Sequence, residues 1–205
     1  ESFDDSAWAT GTYGLGYETG TGAQALIQTT VTVNANSVYS RARFDVADPA
    51  TIRGLALGID YDDAAVAWIN GVEVWRSPEM PAGTPAWNSS PSAHESSNAA
   101  TPQFVPHHDI TATALPVLRA GTNVLAIGLW NSALPSSDMV VVPQLLANPP
   151  PDLSRGPYLQ LGTPTSVVVR WRTMGPANSV VRWGDAPGNL TQVASSSAET
   201  TARAS

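Results

Sequence analysis

An Asn70-Gly71 dipeptide between two apolar runs, in the stretch 61–76 (YDDAAVAWINGVEVWR), constrains this fold more than any other feature of the chain. Both residues tolerate positive φ, as the type I′ turn of a two-residue β-hairpin requires, so the dipeptide fixes a register. Ile69 is expected opposite Val72, Trp68 opposite Glu73, Ala67 opposite Val74 and Val66 opposite Trp75. Alternation then places Ala65, Ala67, Ile69, Val72 and Val74 on one face, small and aliphatic as a sheet interior is. Val66, Trp68, Glu73 and Trp75 fall on the other.

Alternation identifies strands on both sides of this hairpin. From Ser37, Val38, Ser40, Ala42, Phe44 and Val46 share one face, and Tyr39, Arg41, Arg43 and Asp45 the other. Leu55, Leu57 and Ile59 lead into the hairpin. Leu125, Ile127 and Leu129 alternate with Val124, Ala126, Gly128 and Trp130, and a closing strand spans 138–146. The first residues read as a strand followed by a long irregular loop. Residues 77–103, rich in Pro, Ser and Ala, form a loop long enough to be functional or disordered. No stretch carries a 3.6-residue period, so the fold class is all-β, arranged as a sandwich. Asn148-Pro149-Pro150-Pro151-Asp152 reads as a stiff linker over 148–152. It divides residues 1–147 from residues 153–205, where VVVRW and VVRW mark strands of a second, incomplete sandwich.

A net charge of -7, with ten basic side chains that are all arginine, disfavours nucleic acid and anionic membrane as partners. No apolar run approaches the ~20 residues of a membrane-spanning helix, and no charged-then-apolar leader opens the chain. The absence of cysteine removes thiolate and disulfide chemistry. Abundant Thr, Ser, Ala and Gly with 13% charged residues suit a secreted, extracellular bacterial protein.

SRARFDV, YDDAAVAWINGVEV, the proline-bearing loop, GTNVLAIGLWN and SSDM occur in this order, and the region 39–146 resembles the galactose-binding-like jelly-roll modules of large secreted proteins. The chain departs from that pattern at Ala64 and Ala65, where a glycine is common, and at Trp75, where a small residue is usual. RGPYLQLGTPTSVVVRWRT and VVRWGDAPGNL resemble the start of the fibronectin type III-like domain of purple-acid-phosphatase-type metallophosphoesterases. The resemblances imply a non-catalytic, carbohydrate- or surface-binding module beside a downstream catalytic domain of the same parent. The alternative is a structural or assembly module with no glycan ligand.

Trp68, Glu73 and Trp75 are the candidate ligand-binding group, because aromatic rings stack on the C–H faces of sugars while a carboxylate accepts from hydroxyls. Trp87 and Trp130 join them; each tryptophan could instead cover an edge or pack beneath a loop. No nucleophile motif is present, so the span is expected not to be an enzyme. His107 and His108 point to opposite faces of an extended chain, which argues against a shared metal. Asp4, Asp5, Asp62, Asp63 and Asp138 offer oxygen donors of the kind calcium takes, and Asp4, Asp5 and Asp138 are the expected site of a structural calcium, which modules of this resemblance often carry; turn capping is the other use of such aspartates.

Overall fold

The structure, a computed structural model, describes residues 3–149, 153–173, 179–186 and 188–196. The chain divides into two compact units, Glu1–Pro149 and Pro150–Ser205. Residues 150–152 of the expected linker lie outside the described residues.

The first unit is an all-β sandwich. Strands β1 (Leu15–Glu18), β2 (Thr29–Thr30), β4 (Leu55–Asp62), β7 (His108–Asp109) and β9 (Asp138–Ala147) form one sheet, in the order β2-β1-β9-β4-β7. Strands β3 (Ser37–Val46), β5 (Ala64–Ile69), β6 (Val72–Arg76) and β8 (Gly121–Trp130) form the other, in the order β3-β8-β5-β6. The β1–β2 pair is parallel and every other pairing in this unit is antiparallel. Alternation supplies the core between the sheets. Leu57, Ile59, Tyr61, Met139 and Val141 come from the first, and Ala65, Ala67, Ile69, Leu125, Ile127 and Leu129 from the second. The opening strand starts only at Leu15, after an arm outside both sheets, and one turn of helix, α1 (Thr111–Ala114), precedes β8. Such a short turn carries no readable periodicity.

The Asn-Gly hairpin forms with φ of 51° at Asn70 and 87° at Gly71. Its register holds for Ile69↔Val72 and Trp68↔Glu73 and then slips: Ala67 pairs with Trp75 and Val66 with Arg76. The extra residue, Val74, makes a β-bulge, and a one-residue slip exchanges faces. Trp75 therefore turns inward, with Ala67, and packs against the core while Trp68 stays on the outer face.

Residues 77–107 form an ordered strap. Met80 packs on the outer face of the four-stranded sheet with Ala64, Val66 and Trp130. The Trp130 indole N–H donates to the Ala86 carbonyl at 2.8 Å, and its ring covers Gly128, where a side chain would collide with it. The strap then rounds the end of the sandwich. Asp63 accepts from the backbone N–H of His94 (3.0 Å) and of Ser132 (2.7 Å). Buried Asp60 accepts from Ser97 N–H (2.8 Å), the Ser97 hydroxyl and Gln103 N–H (2.9 Å). Phe104 finally packs over Gly58, on the outer face of the five-stranded sheet.

The two lateral openings of the sandwich differ. At the β6/β7 edge the Trp75 ring meets Tyr61 (5.6 Å between centroids) and His108 (4.9 Å), while His94 stacks on Tyr61 at 4.3 Å. That side is sealed. At the β2/β3 edge a cleft of about 850 Å³ remains, lined by Tyr13, Leu15, Thr29–Thr32 and β3 side chains.

In the second unit β10 (Leu153–Gln160) pairs with β11 (Val168–Thr173), and β12 (Ser179–Trp183) with β13 (Gln192–Ser196), both antiparallel. Strand β13 has no clear alternating signal in the sequence. The Arg155 guanidinium lies 4.0 Å from the Tyr158 ring centre.

Candidate functional site

The outer face of the four-stranded sheet carries an aromatic cleft. Cross-strand pairing sets Trp68 beside Ala126, and Ala126 beside Arg41, so the small alanine is the floor between larger neighbours. Tyr39, two residues before Arg41, lies on the same face; Phe3 and Trp8 come over it from the N-terminal arm. Together with Ser40 and Ile127 these residues line about 380 Å³. Phe3, Trp8 and Tyr39 are 57%, 40% and 42% exposed, unusual for large rings, and Trp68 is half-buried. Tyr39 is held edge-on against buried Trp130, 5.5 Å between centroids and 85° between planes. The walls are apolar and the rim carries Arg41.

The structure brings only part of the expected group to this face. Trp68 is in the cleft. Trp75 packs half-buried against the core, because the bulge at Val74 reverses it. Glu73 is on the outer face, but its two oxygens are taken by Arg76, at 2.8 and 2.7 Å, and Arg76 also donates to the carbonyls of Pro81 and Gly83. That carboxylate therefore ties the hairpin to the strap. Trp130 is fully buried and structural. Trp87 is 63% exposed on the strap, outside the cleft lining. Alternation did place Tyr39, Arg41 and Arg43 on one exposed face. The contribution of Phe3 and Trp8 had no periodic signal, because the arm belongs to no strand.

The expected calcium group is also redistributed. Asp4 accepts from Ser6 N–H at 2.9 Å, as a turn-capping aspartate does. Asp5 is ion-paired to Arg41 (2.8 Å) and Arg43 (2.7 Å), and the hydrogen bond from Arg43 foremost holds its carboxyl below the usual range. Neither reaches Asp138. Asp138 instead joins Asp62 and Glu95, with one carboxylate oxygen of each lying within 4.8 Å of the others. Asp62 follows from β4, Asp138 from the start of β9, and Glu95 from the strap. Burial first, then the like charges of Asp138, Asp63 and Glu95, push the Asp62 carboxyl up to about 8. Burial also raises Asp138. Three hard oxygen donors at this spacing fit a divalent cation of the calcium type, with remaining positions for water. The histidines do not converge: His94 stacks on Tyr61, His107 bonds to Gln144 and His108 packs by Trp75.

The geometry defines an all-β module with an exposed aromatic cleft on one sheet. No protein-family profile matches the chain, and no curated protein does. Among solved structures, 71% of the chain aligns with 11% of an α-L-rhamnosidase from Streptomyces avermitilis complexed with L-rhamnose, at 18% identity and a TM-score of 0.35. The β-sandwich rests on the strand order above; so loose an alignment carries nothing about ligand. None of these comparisons supports the phosphoesterase resemblance of the second unit. No helix among the described residues is long and apolar enough to cross a membrane.

Proposed function

We propose that the first unit is a non-catalytic saccharide-binding module of the galactose-binding-like jelly-roll kind, part of a secreted multidomain protein. One observation carries this reading: the cleft in which Trp68, Tyr39, Trp8 and Phe3 surround the Ala126 floor. Aromatic rings around a small-residue floor offer stacking surface to the C–H faces of a sugar, and Arg41 at the rim offers donors to its hydroxyls. Calcium at Asp62, Glu95 and Asp138 has a structural part in this proposal, tying the strap to β4 and β9. An exposed aromatic patch of this kind also suits a protein neighbour in an assembly.

Affinity electrophoresis through mixed-linkage β-glucan, xylan and galactomannan separates the two. Retention by a polysaccharide that Trp68→Ala weakens about tenfold, the effect of roughly 1.4 kcal/mol of lost stacking, is expected. No retention by any of them, together with self-association that Trp68→Ala abolishes, sinks the saccharide reading in favour of assembly.

A further inference from the structure

Half of the cleft's aromatic wall, Phe3 and Trp8, belongs to residues 3–8, which lie in neither sheet. An arm without strand pairing needs an anchor. We infer that Asp5 is a positioning residue of the saccharide site: clamped by Arg41 and Arg43, it docks the N-terminal arm so that Phe3 and Trp8 complete the wall over Trp68 and Tyr39. The ligand in this inference rests on the saccharide reading; the docking rests on geometry alone.

Exposed ion pairs usually contribute little, so the geometry of this one decides the matter. Each Asp5 oxygen takes a different guanidinium, at 2.8 and 2.7 Å, and the Asp5 side chain is 16% exposed. Arg41 is 18% exposed and holds the arm three ways. It pairs with Asp5, donates to the Phe3 carbonyl at 3.1 Å, and sits 5.1 Å from the centre of the Phe3 ring. Charge-assisted bonds that converge on one planar guanidinium fix orientation as well as distance. The arm between the two rings is folded into a turn, with Trp8 N–H donating to the Asp5 carbonyl at 3.0 Å and Ser6 N–H to the Asp4 carboxylate at 2.9 Å. That turn brings Phe3 and Trp8 edge-to-face, 5.4 Å between centroids. A single anchor therefore places both rings. Arg43 lies outside the cleft lining and is 62% exposed, so it can act on a ligand in the cleft only through Asp5.

Arg43→Gln and Asp5→Asn test the inference with two readouts: hydrogen exchange of the Ser6 and Trp8 amides without ligand, and retention by the same three polysaccharides. Both substitutions are expected to speed exchange of the arm roughly tenfold while core-strand amides stay protected. Both should also weaken retention several-fold, and Asp5→Glu should recover it. Unchanged arm exchange in both variants overturns the docking. Faster exchange with unchanged retention overturns the arm's place in the wall. If the parent protein is retained by no polysaccharide, the saccharide reading and the wall role fall together, and exchange alone then upholds or overturns the docking.

Discussion

Trp75→Ala measured beside Trp68→Ala tests the bulge that separates these two residues. A tryptophan offers about 150–250 Å². Half-buried Trp75 therefore removes roughly 120 Å² from water, worth about 3 kcal/mol at 25 cal/mol per Å². Its edge-to-face contact with Tyr61 adds about 1 kcal/mol. Truncation should cost about 3–4 kcal/mol, a fall in Tm of about 10 °C for a unit of this size. Thermal unfolding followed by circular dichroism reads the fall, and electrophoretic retention should survive it below the transition. Trp68→Ala should weaken retention, and it lacks the Tyr61 contact that adds to the cost at Trp75. A Trp75→Ala protein that melts within about 3 °C of the parent and no longer binds would refute the inward orientation and restore the uninterrupted register.

Two further outcomes follow from the buried carboxylates. Asp60→Ala removes the acceptor of two backbone N–H groups and one hydroxyl in the strap. It should cost about 3 kcal/mol and open residues 77–107 to limited proteolysis before global unfolding; a strap that resists cleavage would contradict its anchoring at Asp60. For Asp62, the folded pKa is raised, from 3.8 to about 8. The folded state then holds a proton that the unfolded chain releases, so in chelator stability is highest below pH 4 on this account and declines as pH rises toward 8. The full shift sets a ceiling of about 6 kcal/mol, and solvent screening reduces it to the order of 3 kcal/mol. Asp62→Asn should flatten the decline, and calcium added at pH 8 should reverse it; a Tm indifferent to both would show that the three carboxylates neither share a proton nor hold a cation.

What could be read from the sequence divides along physical lines. Strands β3, β4, β5 and β8 are legible because their larger apolar side chains alternate, although β4 is buried on both faces, and Asn70-Gly71 is legible because few other pairs accept two positive φ values. The bulge is not. WINGVEVW alternates without interruption, yet the bulge turns Trp75 inward against Tyr61 and His108 while Val74 stays buried in the core. The strap carries no periodic signal because its order comes from partners 31 to 43 residues away, Asp63 with His94 and Asp60 with Gln103, and spacing rules do not reach that far. Likewise Asp62 and Asp138 stand out in the sequence as oxygen donors, but nothing there singles out Glu95 or separates Asp138 from Asp4 and Asp5. Only the fold shows that two arginines of β3 claim Asp5, and that Glu95 takes a place beside Asp62.

The strap has a further consequence for what the cleft can accept. By seating Met80 over Val66 and Trp130, it occupies the end of the sheet face toward Ala64 and leaves uncovered the part around Ala126. Ala64 and Trp68 are four residues apart, roughly 13 Å along a strand. A polymer lying along β5 and β8 would meet the strap within that distance. The surface is thus a bay with an end wall instead of a through-channel, which on the saccharide proposal favours a chain terminus or a side branch such as those of galactomannan.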